Sequence, residues 1–567
     1  MILALGIGYA LTFFPGLEWH GGYIGRSYKV LHPESFPGDP YMSSNNVTNL
    51  SSYYVLVRLI GDLWLDDRFT MAVYVLLVVL ALIGVDKTVQ LLGVNDLAGR
   101  LAVLSLMAVP HRFRSALPEV VTWADFYAGS FAGMVIVWLF YVVLSGARLW
   151  RIVTCVLLLW SLNVKWAWFP TVMAMTVVCR ERLTVRQQRL ALLLLVLAAE
   201  ALYLVYVSWI RPPGQEHVWL FDLLRQEENR EANPFQDSLL ANLAYFFLIG
   251  VGMWIRPPST TQARRVRTFA VLGALLWLLG GLYLTYAPDA LKIPYLVPLA
   301  FNRATQGPIY LLLLSIGAGA LIRMGAISAP LRTRCGALVL LGTLYATFGP
   351  SRMVKIGLLW GLVALASFIV MKGRIRPGVP MLQLIRQLGE RWLVPISATA
   401  LVLATLLMYG RATIKRLPAL RYLARYGVMG DNPSAKWVGV NEYIRRETPP
   451  DAMILPISTS SYPWRRGLTY DSWLRTRTGR LTPAGPEYSV LLNYDQLRRL
   501  QVENSHVQRL MAAWKARDRR MVEEGLAHFG VDYLVVENSE AEWIKGRLGT
   551  YRTETVIRDF TIFRGDR

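Results

Sequence analysis

A succession of long apolar runs, each bounded by charged residues, restricts this chain more than any other feature. The runs fall near 1–16, 69–86, 97–110, 124–146, 151–163, 166–179, 189–209, 239–255, 268–286, 308–325, 335–349, 354–371 and 392–409. A helix needs about 20 apolar residues to cross a hydrocarbon core about 30 Å thick, so these runs read as membrane spans. The first, third, fifth and sixth are short, which sets the expectation at about 11–13 transmembrane helices. Composition agrees. Of 567 residues 54% are hydrophobic and 17% charged, too little polar surface to clothe soluble domains of this total size. The first run reads as an anchor and not a cleaved leader, because it lacks a basic start and is followed by Phe13-Phe14-Pro15-Gly16 instead of a small-residue cleavage site.

Arginine and lysine set the expected orientation. They concentrate in alternate loops: Arg148 and Arg151; Arg180, Arg182, Arg186 and Arg189; Arg256, Arg264, Arg265 and Arg267; Arg323, Arg332 and Arg334; Lys372, Arg374, Arg376, Arg386 and Arg391. Basic loops stay on the cytoplasmic side. The N-terminus is therefore expected inside, and the loops 17–68, 111–123, 211–238 and 287–307 outside with the whole tail, as in a multi-pass protein of a bacterial inner membrane. The run 151–179 tests this scheme. Reading it as one helix would move every later basic cluster to the wrong face, so two helices joined at Asn163-Val164-Lys165 are expected. Because the net charge of +22 is explained by such loops, it does not imply nucleic acid as a partner.

From Arg411 onward the apolar runs shorten and charges return, which divides the chain into a helical membrane domain, 1–410, and an extracytoplasmic domain, 411–567. In the tail, Ala452-Met453-Ile454-Leu455-Pro456 and Tyr533-Leu534-Val535-Val536 read as buried parallel strands. Ser434–Arg446 and Gln496–Phe529 read as helices, and 555–563 as an alternating edge strand. The expected fold is a polytopic α-helical membrane protein with a C-terminal α/β domain. The tail holds 26 Lys and Arg against 18 Asp and Glu, a balance that suits an anionic surface or an ordinary basic one equally. No glycine-rich phosphate loop, nucleophile elbow or HExxH is present. Cys155, Cys179 and Cys335 lie in or at the ends of apolar segments without ligand spacing.

Chemistry is expected on the outer loops. The first carries His32-Pro33-Glu34-Ser35-Phe36-Pro37-Gly38-Asp39-Pro40-Tyr41, followed by a surface helix, Tyr53–Leu65. Three prolines and a glycine in eight residues stiffen this stretch, so that Glu34 or Asp39 can be held as a general base or metal ligand. Helix capping by Asp39 is the plainer alternative. The next outer loop adds Glu119, with Asp125 at the mouth of the following helix. Lys165, Lys292, Arg303, Arg352 and Lys355 sit on the same face, where each either snorkels to the interface or clamps a lipid phosphate. Arg303, between Pro298 and Pro308 at the start of a span, is the strongest of these.

The acidic first outer loop after helix one (Glu34, Asp39), the dozen helices and the outer C-terminal domain resemble the GT-C superfamily of integral-membrane glycosyltransferases. The opening of the tail, Trp437-Val438-Gly439-Val440-Asn441-Glu442-Tyr443-Ile444-Arg445-Arg446-Glu447-Thr448-Pro449-Pro450-Asp451-Ala452, is similar to the start of the outer domain in many bacterial members. The resemblance covers nearly the whole chain, but as architecture. It implies transfer of a sugar from a polyprenyl-phosphate-linked or polyprenyl-diphosphate-linked donor to an envelope glycan, lipid or protein. Asp39 would be base or metal ligand, with Glu34, Glu119 or Asp125 as second carboxylate. Arg303, Arg352, Lys355 and Lys165 would fall to the donor phosphate, with a divalent cation such as Mg or Mn a further implication. Asp39 departs from the paired adjacent acids of many members, since Gly38 and Pro40 flank it. Other classes stay open: a non-catalytic scaffold subunit of an envelope complex with protein partners, a lipid-linked-glycan polymerase, or a transporter. A transporter would ordinarily show an internal repeat, which this sequence lacks.

Overall fold

The structure, a computed structural model, describes residues 2–13, 27–35, 51–108, 128–211, 214–227, 261–299, 301–325, 380–427, 434–457, 478–483 and 494–566, with isolated positions in 333–340. The chain forms two compact units. One comprises Met1–Phe14, Val73–Ala124 and Gly129–Lys415; the other comprises Pro15–Ala72, Asp125–Ala128 and Arg416–Arg567.

The first unit is helical. Among the described residues five helices are long and apolar enough to cross a membrane: Asp67–Leu91, Val185–Ile210, Thr261–Tyr286, Arg303–Met324 and Val394–Tyr426. Shorter apolar helices cover Ile2–Thr12, Leu97–Met107, Gly129–Leu144 and Leu149–Leu162. The expected spans 239–255 and 354–371 lie outside the described residues, as does most of 335–349.

Local chemistry explains where these helices start and stop. Asp96 accepts a hydrogen bond from the Gly99 amide at 2.6 Å and so caps Leu97–Met107. Thr184 and Gln187 form a reciprocal capping box that starts Val185–Val205. The run 151–179 is two helices, Leu149–Leu162 and Val164–Arg182, broken by the single extended residue Asn163. Trp160 Nε1 donates to Thr171 Oγ1 at 3.1 Å across that break, so the pair folds back on itself. Lys165 lies in the first turn of the second helix and not in the turn between the two. Arg265 fastens three helices by their ends. Its guanidinium donates to both carboxylate oxygens of Glu181, at 2.7 and 2.6 Å, and to the Val143 and Leu144 carbonyls that close Ala128–Leu144.

The expected span at 392–409 is part of a longer helix, Pro380–Tyr426, of 47 residues. Arg411, Lys415 and Arg416 end an apolar run, yet they are good helix formers, and nothing stops the helix before Gly427 at φ +70°.

The second unit contains a four-stranded sheet in the order β1-β2-β4-β3, with β1 Ile454–Ile457, β2 Tyr533–Glu537, β3 Tyr551–Ile557 and β4 Phe560–Gly565. β1 and β2 pair in parallel with Leu455 opposite Leu534; the other pairings are antiparallel. Alternate residues feed two cores. Leu455, Ile457, Leu534, Val536 and Phe563 pack with Trp514, Val522 and Ile544 of the helices that follow β1 and β2. Ile454, Tyr533, Val535 and Ile562 pack on the opposite face with Trp437, Val440 and Ile444 of the helix Ser434–Glu447. Both faces are therefore covered, as near-continuous apolar strands require.

Two expectations for the tail need correction. The stretch 555–563 is not one strand but the heart of a hairpin, turned at Arg558 (φ +52°) and Asp559. The helical stretch 496–529 is two helices, Tyr494–Ala516 and Arg519–Phe529, broken where Arg517 adopts φ +58° and Asp518 caps the second helix through the Met521 amide at 3.1 Å.

Candidate functional site

Residues 27–35, which follow the first helix, are folded against the tail within the second unit. Residues 27–31 form a helical turn whose Tyr28 carbonyl accepts from the His32 amide at 2.7 Å. Lys29 Nζ donates to the Pro33 carbonyl at 2.5 Å and to that of Ser35, so this lysine closes the turn. The other side comes from Ser52–Ile60 and the short 3-10 helix Gly61–Leu65. The expected surface helix is thus shorter than 53–65, and one face is not at the surface: Tyr53, Tyr54, Val57 and Trp64 are buried, with Trp64 Nε1 donating to the Tyr53 hydroxyl at 3.2 Å. Gly61, at φ +70°, makes the bend that brings Asp62 round to His32.

His32 joins two carboxylates. Its Nε2 lies 3.1 Å from Asp62 Oδ1 and its Nδ1 3.8 Å from Glu34 Oε1. The Tyr28 ring packs on the imidazole, with centroids 4.6 Å apart. Glu34 and Asp62 are both largely exposed, so the cluster opens to solvent.

The tail supplies the floor. Gly479 and Arg480 lie under the turn, and Arg480 is buried. The Arg480 guanidinium donates to Thr448 Oγ1 at 3.1 Å and to the carbonyls of Thr478, Arg445 and Thr448 at 3.2, 2.9 and 2.7 Å. It therefore sits at the C-terminal, negative end of Ser434–Glu447. Burial pushes the Arg480 pKa down from its usual range. Burial also raises that of the Tyr28 phenol, opposed by Arg445 and Arg480 and assisted by Glu34 and Asp62. A second tether lies farther along, where the Asp67 amide donates to the Gly427 carbonyl at 2.9 Å.

The helical unit presents a separate basic position. Arg303 belongs to the 3-10 turn Phe301–Thr305 that leads into Gln306–Gly325. Its guanidinium lies over the indole of Trp166, 4.3 Å from the ring centroid. Phe301 holds the turn in place against Phe169 and Tyr283. It presses on Gly280 so closely that a Cβ there would stand 2.1 Å from Phe301 Cγ. Lys292, by contrast, is committed to carboxylates, with Nζ 3.0 Å from Asp289 and 3.3 Å from Asp222. Burial lowers its pKa, but those two carboxylates outweigh burial and leave it raised.

Of the residues expected to carry chemistry, Glu34 in the second unit and Lys292 and Arg303 in the first are described in full. Lys165 is described only in its backbone. Asp39, Glu119, Asp125, Arg352 and Lys355 lie outside the described residues. His32, Asp62, Tyr28 and Arg480 were not singled out. A glycine directly after an apolar helix, as in Ile60-Gly61-Asp62, was the available signal for one of them. Among the described residues no three His, Cys, Asp or Glu side chains gather as a metal site.

No protein-family profile matches the chain, and no curated protein sequence matches it. Among solved structures, that of ArnT from Cupriavidus metallidurans in the apo state aligns with 99% of this chain and 96% of its own, at 13% identity and a TM-score of 0.41.

Proposed function

We propose that this chain is a membrane glycosyltransferase of the GT-C type, which transfers a sugar from a polyprenyl-phosphate-linked or polyprenyl-diphosphate-linked donor to an envelope acceptor at the outer face. The observation that carries this reading is the anchored first loop. Lys29, the Tyr28–Gly479 contact and the His32–Asp62 pair hold residues 27–35, with Glu34 beside His32; in the sequence Asp39 comes five residues after Glu34. A base has to be held still to act, and the anchoring of residues 27–35 supports that role for Glu34.

In the reaction the bond between the anomeric carbon and the phosphate oxygen breaks. A new bond forms from that carbon to the acceptor oxygen, and the acceptor proton passes to a carboxylate. We assign that proton to Asp39, with Glu34, Glu119 or Asp125 as the second acid. Negative charge grows on the departing phosphate. A guanidinium lying over an indole, as Arg303 does over Trp166, suits an anionic headgroup at the membrane surface, and Arg352, Lys355 and Lys165 are assigned to the same phosphate.

The test is transfer itself. The purified full-length protein in liposomes is given polyprenyl-phosphate-linked sugars and envelope acceptors, with and without chelator. Transfer of a sugar supports the assignment. Absence of transfer from every such donor, with an intact fold, favours the scaffold-subunit reading.

A further inference from the structure

The helix Val185–Val205, continued by Tyr206–Ile210, carries a feature that membrane anchoring does not explain. Its apolar stretch runs from Leu190 to Ile210 between Arg189 and Arg211, and Glu200 stands ten residues from each end. At 1.5 Å per residue this sets the carboxylate about 15 Å from either boundary, at the middle of the hydrocarbon. Glu200 is exposed on the helix, and no residue of Val185–Val205 is buried. A lipid tail offers such a group no hydrogen-bond donor or cation.

The helix is exposed on every side, and Glu200 is what singles out one face. Tyr203 reaches back to its own unit, its hydroxyl donating to the Ala290 carbonyl at 3.1 Å. At about 100° per residue, Leu190, Leu193, Leu197, Glu200 and Leu204 share a stripe about 80° wide, centred about 100° round the helix from Tyr203. The four leucines are 55–57% exposed. Their 3-4-3-4 spacing is the seam of a left-handed helix pair, in which a single polar position sets the register.

Among the described residues no cation pairs with Glu200, and the sequence places none at that depth. Every Lys, Arg and His in or beside an apolar run stands close to a run end, and none is central. A second copy docking by the same face would set Glu200 against Glu200 and supply no cation. We propose that this face of Val185–Val205 docks a membrane helix of a different protein, one bearing a lysine or arginine at mid-membrane depth that pairs with Glu200.

A photo-crosslinking residue at Leu197 of the full-length protein, in the membranes of its own cell, tests this. The expected adduct is a second polypeptide, identified by mass spectrometry, whose membrane span has a central lysine or arginine. The adduct is absent when the crosslinker is moved to Leu195, on the far side of the helix. It is lost with Glu200→Leu, which is at least as apolar and inserts as well, and with Glu200→Lys. Changing the partner's cation to glutamate restores it in the Glu200→Lys background. An adduct with a second copy of this chain or within the same chain, an adduct that survives Glu200→Leu, or no adduct overturns the proposal.

Discussion

Gly479 and Tyr28 are in contact through a space that only glycine leaves open: a Cβ on Gly479 would stand 2.7 Å from Tyr28 Cε1 and 2.9 Å from Ser35 Oγ. Gly479 also adopts φ +71°, where an L side chain is strained. Gly479→Ala therefore meets two penalties, overpacking and backbone strain, each costing about 1–3 kcal/mol. The expected result is a lower melting temperature and faster proteolytic cleavage around residues 27–35 than in wild type. Gly549→Ala, where nothing lies within 4 Å of the added carbon, is the control.

The limits of the sequence reading follow from the same kind of contact. Apolar runs reveal spans because a membrane imposes length and composition together, and Lys165 correctly forced the break at Asn163. The stretch 555–563 reads as a single strand because the turn within it uses Arg558, a residue that seldom takes φ > 0, where Asn or Gly would have announced it. Arg517 hid the break between the last long helices in the same way. The cluster at His32 could not be read at all. It needs Gly61 to turn Asp62 round and Arg480 to arrive from the tail, and pairing across that distance leaves no period or motif in the sequence.

Arg517 and Glu540 give a prediction for the tail alone. Glu540 is buried, accepts from Trp514 Nε1 at 3.2 Å and forms a bidentate pair with Arg517 at 2.5 and 2.9 Å. Arg517 is 44% exposed, so the partners are not equivalent. Arg517→Ala strands a buried carboxylate and is expected to cost up to about 3–5 kcal/mol. Glu540→Gln removes the charge but keeps an acceptor for Trp514, and leaves the arginine a route to water. Denaturant unfolding, followed by tryptophan fluorescence, should rank Arg517→Ala well below Glu540→Gln.

Orientation is a prediction from the alternation of basic loops. A reporter that works only outside the cytoplasm, fused after Arg567, is expected to be active, and one fused within 256–267 inactive. The opposite pattern would invert the scheme and remove the outer-face assignment of every acid and base in it.

Arg303 stacks on Trp166, and planarity matters there as much as charge. Arg303→Lys keeps the charge but loses the stacking and the forked donors. A contact of this kind is worth about 0.5–2 kcal/mol. Both Arg303→Lys and Trp166→Leu are expected to raise KM for the lipid-linked donor several-fold and leave kcat close to wild type. Arg303→Ala should lower kcat/KM further. Equal rates for all four proteins at sub-saturating donor would exclude Arg303 from the phosphate.

The decisive comparison is within the first loop. If Asp39 takes the acceptor proton, Asp39→Asn keeps shape and most hydrogen bonding while removing basicity, and the rate should fall by about 10²–10⁴. A helix cap behaves differently, since Asn caps about as well as Asp and stability and rate would both survive. His32→Gln and Asp62→Asn test whether the anchored turn matters to that base. His32→Gln removes the imidazole from the 3.1 Å His32–Asp62 contact and Asp62→Asn removes its charge, and neither substitutes Asp39. If the pair only positions the loop, each should lower kcat moderately, the double variant should fall no further than the worse single one, and the pH profile should keep its shape. If His32 is itself the base, His32→Gln alone should match the loss expected of Asp39→Asn and remove the acid limb of the profile. Glu34→Gln separates the last alternative: as second acid it lowers the rate, whereas as a solvated loop charge it leaves rate and melting temperature at the wild-type value. Measured side by side in liposomes, the four variants assign one role each to Asp39, His32, Asp62 and Glu34.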